Sequence, residues 1–281
     1  MAVVINTNIP SISASRSLYA NRADLERAME RLSSGKRING AKDDAAGMSV
    51  VSKMKAQITS LNQAVRNAND GISMVSTYEG AADEIGDILI RMRELATLVA
   101  TGTYTAEDRA NANLEYEQLI TEINRIQGQT KFNGTIEIAS TSTTAITASF
   151  HVGFGSTNQI GVALNSLHTS ALMVGGGANY IGTADTTALA ASAIVSVDAA
   201  LKQLNTNRAT AGAMINRLEH TVSNLMNVVQ RTEEARSRIE DADFAAESAA
   251  LARANVLVQA GSAMLAQANQ NPQYVLALLR T

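Results

Sequence analysis

The chain has 281 residues, a formal net charge of −3 at pH 7, no cysteine and no tryptophan. Without cysteine it can form neither a disulfide nor a thiolate metal site, and its weak charge gives no reason to expect nucleic acid or an anionic membrane as a partner. Only 4% of the residues are aromatic and only two are proline, a composition that favours long helices over a large globular core.

The first helical pattern runs from Ser11 to Leu32 and repeats every seven residues, at Leu18, Leu25 and Leu32. Gly35 and Gly40 then break the period in a charged connector. The ionisable residues of this connector are Lys36, Arg37, Lys42, Asp43 and Asp44. Either aspartate can cap the next helix, because its carboxylate can accept the free amide hydrogens of the first turn.

The clearest periodic signal comes next. Apolar residues recur every seven positions in two sets, which we call columns: Val51, Ile58, Val65 and Ile72, and Met54, Leu61, Ala68 and Val75. The pattern slips by one residue at Glu79 and Gly80 and then resumes as far as Val99. Residues 45–100 therefore predict one helix of about 80 Å, at about 1.5 Å per residue. A second amphipathic run continues to Gly128, and we expect it to fold back on the first.

Residues 131–190 are rich in Thr, Ser, Gly and Ala. Alternating runs at 147–152 and 158–162 predict the strands of one or two hairpins, and the glycines at 175–177 predict a flexible turn. Apolar columns spaced by seven return in residues 190–239, with Arg208 among the polar exceptions. This segment and residues 45–128 predict a long antiparallel helical bundle.

A final helix is predicted to begin near Phe244. It has no charged residue from Ala254 to Leu279, but its Asn and Gln side chains make it too polar for a membrane span, so we expect no membrane insertion. An uncharged helix of this kind needs surrounding protein, and no other part of the chain is large enough to supply it. We therefore expect many copies to assemble, with both ends disordered in the isolated chain. The expected packing residues are Leu18, Leu25, Leu32, Leu251, Leu257, Val258, Met264 and Leu265.

Catalytic patterns are missing from the sequence. His151, His168 and His220 are isolated from one another, and neither a His-Glu-x-x-His zinc motif nor a glycine-rich phosphate-binding loop occurs. We expect no enzyme activity, no catalytic residue, no metal and no cofactor. The N-terminus also lacks the basic and apolar pattern of a cleaved secretory signal, so export would use a route that leaves it uncut.

Five blocks occur in order along the two ends of the chain: residues 32–47 (LSSGKRINGAKDDAAG), 66–73 (RNANDGIS), 128–134 (GQTKFNG), 235–243 (ARSRIEDAD) and 265–273 (LAQANQNPQ). Together they resemble the signatures of bacterial flagellins, over roughly residues 1–135 and 190–281. The resemblance implies a secreted, extracellular protein that polymerises into the hollow filament of the bacterial flagellum for swimming motility.

The resemblance also implies a mainly α fold, a long antiparallel coiled-coil bundle with a small β-hairpin region and paired terminal helices. Residues 1–44 plus 240–281 would form an inner domain, and residues 45–239, with hairpins at 131–190, a second, rod-like domain. The short middle implies a filament without outer variable domains, thin-walled and smooth. The implied partners are further copies of the chain, the flagellar export apparatus and its secretion chaperone, and hook-associated and cap proteins.

Three alternatives stay open at this point. A hook–filament junction adaptor of the same architecture would cap a filament instead of extending it. The charged connector is either a solvated loop with a helix cap or a contact between copies. In some flagellins a Toll-like receptor of vertebrates recognises the segment that matches Arg91 and Leu95, with Glu115 on the next helix, but Leu95 also belongs to the apolar seam.

Overall fold

The computed structural model describes residues 7–134, 136–137, 146–172, 174, 181 and 187–278, without the side chains of residues 136, 137, 187, 188 and 271–278. Its helices are α1 (Ile9–Ser34), α2 (Ala45–Val99), α3 (Ala106–Gln129), α4 (Thr187–Glu240) and α5 (Phe244–Leu278). Two antiparallel hairpins pair β1 (Lys131–Phe132) with β2 (Ile136–Glu137), and β3 (Ile146–His151) with β4 (Gln159–Leu164).

The predicted fold class is confirmed, including the hairpins and the pairing of the terminal helices. The boundaries of the predicted elements differ by a few residues, and α1 begins at Ile9 instead of Ser11. Asn8 caps this helix through its Oδ1 atom, which accepts a hydrogen bond from the Ser11 amide at 3.1 Å. This cap was not predicted because the helix was located from its repeating apolar residues, and a single asparagine does not contribute to that repeat. The turn predicted at residues 175–177 lies outside the described residues.

Two compact units divide the chain. We call Met1–Ile58 with Gln230–Thr281 the terminal unit, and Thr59–Val229 the bundle unit. In the bundle unit, α2 and α4 run antiparallel, since Arg93 pairs with Asp198 whereas Glu79 pairs with Arg208. Five members of one predicted column of α4 are buried, whereas the sixth, Ile239, is only half-buried; the five are Val197, Leu204, Ala211, Leu218 and Leu225.

The slip in the repeat of α2 coincides with a polar layer in the bundle unit. Arg208 donates from Nε to Glu79 Oε1 at 2.7 Å and contacts Asp83 Oδ1 through Nη2 at 2.8 Å. The Tyr78 hydroxyl donates to the carbonyl oxygen of Asn165 at 2.8 Å, and burial, with the charge of Glu79, raises the pKa of this tyrosine. Arg208 and Glu79, which interrupt the apolar columns, therefore pair with each other, although Glu79 Oε2 is buried without a hydrogen-bond partner.

Thr105 caps α3 in a capping box with Asp108, whose amide donates to Thr105 Oγ1 at 3.3 Å while the Thr105 amide donates to Asp108 Oδ2 at 3.1 Å. We predict that Thr105→Ala lowers the free energy of unfolding of the monomer by about 1 kcal/mol at neutral pH, measured by urea denaturation. Thr103→Ala, outside the box, is the control and should leave this free energy unchanged.

The capping box also makes the effect of Thr105→Ala depend on pH. Hydrogen bonds from the Thr105 side chain and backbone hold the pKa of Asp108 below its usual value. A lowered carboxyl pKa stabilises the fold above the unfolded-state value, and this contribution is lost as the pH falls through the folded value. The difference between the variant and the wild type should therefore shrink in acid, and an equal difference at all pH values would contradict this role for Asp108.

Candidate assembly interface

The charged connector of the terminal unit is bound to the segment that joins α4 to α5. The Arg37 amide donates to the Glu240 carbonyl at 2.7 Å, and the Ala242 amide donates to the Gly35 carbonyl at 3.0 Å. The Lys36 ammonium pairs with the Glu240 carboxylate at 2.5 Å, and Arg37 donates from Nη2 to the Ile239 carbonyl at 2.6 Å. These two cations therefore stabilise the end of α4 within the same chain.

The two aspartates of the connector also serve their own backbone. Asp44 caps α2, since its Oδ1 accepts from the Gly47 amide at 2.8 Å, and Asp43 Oδ2 accepts from the Asn39 and Gly40 amides, each at 3.2 Å. Lys42 is exposed and has no ion pair within the described part of the chain. Of the five charged side chains in the connector, that of Lys42 is the one left to reach another molecule.

α1 and α5 pack against each other along a stripe of small residues on α5. Ala254, Gly261 and Ala268 recur every seven residues and face α1, where Leu18 and Ala28 are buried. A Cβ atom placed on Gly261 would lie 3.4 Å from Leu18 Cδ1, so the helices approach closely here. Leu25, Leu32, Leu251, Val258 and Leu265 are half-buried beside this stripe.

Polar contacts fix both ends of the antiparallel helix pair. Near the start of α1, Asn8 donates from Nδ2 to the Ala268 carbonyl at 2.8 Å, and the Ser11 hydroxyl donates to Asn269 Oδ1 at 2.7 Å. Near its end, Arg31 Nη1 pairs with Glu247 Oε1 at 2.9 Å. Between these ends the two helices meet through apolar side chains, such as Leu18 on α1 and Ala254 on α5.

Leu257 and Met264 are not covered by α1; they are 44% and 63% exposed. They belong to an exposed face of α5 on which residues recur at alternating intervals of four and three: Arg253, Leu257, Ala260, Met264 and Gln267. α1 has an exposed face of the same spacing, formed by Ile12, Arg16, Tyr19, Ala23, Glu26 and Glu30. This spacing is typical of helices that pack against a further helix. The face on α1 was missed because its apolar residues, Ile12 and Tyr19, are outnumbered by charged ones.

The predicted receptor residues lie in the bundle unit. Arg91 is exposed. It donates from Nε to Glu115 Oε1 at 2.9 Å and from Nη1 to Glu94 Oε2 at 3.0 Å. The hydrogen bond to Glu115, followed by that to Glu94, raises the pKa of Arg91. Leu95 is 5% exposed and belongs to the core, so the structure brings Arg91 and Glu115 together on the surface without Leu95.

Composition alone does not exclude a membrane span, contrary to our expectation from the amide side chains. Among the described residues, the stretch Phe244–Gln270 of α5 is, by length and composition alone, long and apolar enough to cross a bilayer. Only 6% of its most apolar part is buried, so α5 lacks the protein surroundings that an ordinary core helix has. Within the same described residues, no cluster of three or more His, Asp or Glu side chains could hold a metal ion.

Comparisons with known proteins agree on one family. Residues 5–143 match the bacterial flagellin N-terminal helical region, and residues 194–279 match the bacterial flagellin C-terminal helical region. A flagellin of Halalkalibacterium halodurans is 46% identical over 278 residues, which cover 99% of this chain and 100% of the relative. The flagellar filament 33 kDa core protein of Treponema phagedenis is 40% identical over 286 residues, with coverage of 99% and 100%.

A solved structure has the same fold at low identity. A putative flagellar hook-associated protein from Vibrio parahaemolyticus superimposes with a TM-score of 0.59 at 13% identity, over 71% of this chain and 100% of that chain. At such low identity the likeness concerns the fold alone.

Proposed function

This chain belongs to the bacterial flagellin family and is a structural subunit of the flagellar filament, and we propose that α1 and α5 form the inner layer of that filament. As a flagellin it polymerises with copies of itself, and the filament is extracellular. The observation that carries the proposal is the exposed apolar face of α5 at Leu257 and Met264, which the chain itself leaves uncovered.

The helix pair has little buried surface of its own. Its buried apolar side chains, among the described residues, are Leu18 and Ala28 on α1 and Ala254 and Ala268 on α5, and three of these four are alanines. Ordering a residue costs backbone entropy that buried apolar surface must offset, and an alanine supplies little of it. We therefore infer that neighbouring copies provide most of the stabilisation of α1 and α5.

The domain division follows from the same argument. Residues 1–44 plus 240–281 would form the inner domain, and residues 45–239 the second domain, which has its own apolar core. The connector between them would contact adjacent copies chiefly through Lys42, since Lys36, Arg37, Asp43 and Asp44 bind groups of the same chain. With a short middle segment, the filament would have a thin wall.

The composition of the chain and the sparse packing of its terminal helices are compatible with export in an unfolded state. A chain without cysteine cannot be trapped by disulfides, and terminal helices with few buried side chains are easily kept unfolded. We propose that the flagellar export apparatus and a secretion chaperone handle the chain before assembly. Cap and hook-associated proteins would then be its partners at the two ends of the filament.

Seeded elongation tests the filament function. Purified monomer added to short filament fragments should extend them, which electron microscopy can measure as an increase in length. A hook–filament junction adaptor would bind the fragment ends without extending them, and no finding favours that alternative, since the likeness to the hook-associated protein concerns the fold alone. Binding to ends without growth would contradict the assignment as a filament subunit.

Recognition by a Toll-like receptor is a separate proposal, supported by the exposed pair of Arg91 and Glu115. Since Leu95 is buried, the charged pair would carry the interaction. We predict that Arg91→Ala lowers the potency of the monomer in a receptor reporter assay by about tenfold, the effect of a moderate interface hot spot.

Arg93→Ala is the matched control, because the two arginine side chains are 50% and 47% exposed and each pairs with a carboxylate on another helix. Arg93 pairs with Asp198 of α4 and not with Glu115. Potency should therefore be unchanged in this variant. Equal potency of the Arg91→Ala variant and the wild type would remove Arg91 from the proposed contact.

A further inference from the structure

Met264 is the most exposed methionine among the described residues. Met226 in the bundle unit is 59% exposed, and Met29 on α1 is 48% exposed. Met264 is 63% exposed and belongs to the exposed face of α5. A thioether in this position is accessible to small oxidants before assembly, because susceptibility of methionine to oxidation follows its access to solvent.

The surroundings of Met264 differ from those of Met29, the exposed methionine of α1. No charged residue occurs in α5 between Ala254 and Gln270, so a neighbouring helix that covers Met264 would meet apolar and uncharged polar side chains and no ion. Met29 instead lies one turn from Glu26 and next to Glu30, where a more polar side chain would remain hydrated. Of these two sites on the terminal helices, Met264 is the one without a charged neighbour, and there added polarity conflicts more strongly with burial.

Peroxide converts methionine to its sulfoxide in a balanced two-electron step. The thioether sulfur attacks one peroxide oxygen, the O–O bond breaks, an S–O bond forms, and the departing hydroxide takes up a proton to become water. Sulfur is oxidised and the peroxide is reduced. The product carries a strong hydrogen-bond acceptor, and burying an acceptor without a donor is unfavourable.

We propose that Met264 is an oxidation-sensitive site of assembly: sulfoxide formation at this residue prevents the chain from joining a filament, and assembly shields the residue from peroxide. This inference rests on the proposed function, in which neighbouring copies cover the exposed face of α5. Methionine sulfoxide reductases reverse the modification, so the block is reversible.

The test treats monomer with hydrogen peroxide, removes the peroxide with catalase, and adds the protein to untreated filament fragments. Peptide mass spectrometry gives the sulfoxide fraction at each methionine. We expect the elongation rate to fall by about tenfold or more when Met264 is fully oxidised, as an unpaired acceptor enters the interface. Treatment with sulfoxide reductases should restore the rate.

Two variants separate Met264 from the other methionines. Met264→Leu keeps the apolar volume and should elongate at the same rate before and after peroxide, although Met226 and Met29 are oxidised. Met226→Leu should remain as sensitive as the wild type. Full elongation by wild-type chain oxidised at Met264 would overturn the proposal, and so would equal losses in the Met264→Leu variant and the wild type.

The wild-type protein supplies the remaining arms of the test. In intact filaments we expect Met264 to oxidise at least about tenfold more slowly than in monomer, and equal rates would overturn the proposed shielding. If Met264→Leu assembles poorly, the sulfoxide fractions at Met264, Met226 and Met29 in wild-type protein at increasing peroxide doses show which oxidation the loss of elongation follows. Failure of untreated wild-type monomer to elongate would instead count against the filament function itself.

Discussion

Deletion of residues 244–281 should abolish filament elongation while the bundle unit remains folded. The deletion removes α5, and with it both the partner of α1 and the exposed face at Leu257 and Met264. The core of the bundle unit loses nothing, because its buried side chains all come from residues 61–225. The truncated protein should be a soluble, helical monomer.

Two measurements check this result. Circular dichroism and denaturant unfolding should show a cooperative transition in the truncated protein, as expected for a domain with its own core. Seeded elongation should show no growth at concentrations at which the full-length chain extends filaments. Normal filaments from the truncated chain would rule out α5 as the assembly element.

The second large effect concerns the core of the bundle unit. Leu89 of α2 is 0% exposed, and Leu89→Ala should lower the free energy of unfolding by about 2–5 kcal/mol, since it removes buried methyl groups and leaves a cavity. Ile90, the next residue, is 50% exposed. Ile90→Ala is therefore the matched control and should change the free energy by no more than about 0.5 kcal/mol.

Guanidinium denaturation of the monomer, followed by circular dichroism, measures both variants. The comparison is stringent because the two positions share one helix and similar side-chain volumes. Equal destabilisation by the two substitutions would mean that α2 does not pack with the orientation described here.

Periodicity predicted the bundle well because it acts locally. Val197, Leu204 and Leu218 are seven or fourteen residues apart, and a helix necessarily places them on one face. The pairing of Glu79 with Arg208 could not be predicted in this way, since the partners are 129 residues apart and each appears in the sequence only as an interruption of an apolar column. The strands β3 and β4 were predicted from short alternating runs in the sequence, and in the structure β4 alternates between exposed and buried positions.

The candidate interface was harder to predict in detail. The sequence shows that α5 has a wide apolar stripe, but not which part of the stripe faces α1. In the structure the small residues Ala254 and Gly261 face it, since they allow close approach, and the larger Leu257 and Met264 remain outside. For Leu95 the apolar pattern was the better guide. Its position in the apolar seam predicted burial, and in the structure it is buried instead of exposed beside Arg91.

Amide hydrogen exchange of the free monomer and of the assembled filament tests most directly whether the two ends of the chain depend on neighbouring copies. In the monomer, amides of α1 and α5 should exchange within seconds while those of the bundle core remain protected; in the filament, exchange in α1 and α5 should slow by at least about 100-fold. Equal protection of α1 and α5 in monomer and filament would contradict this account.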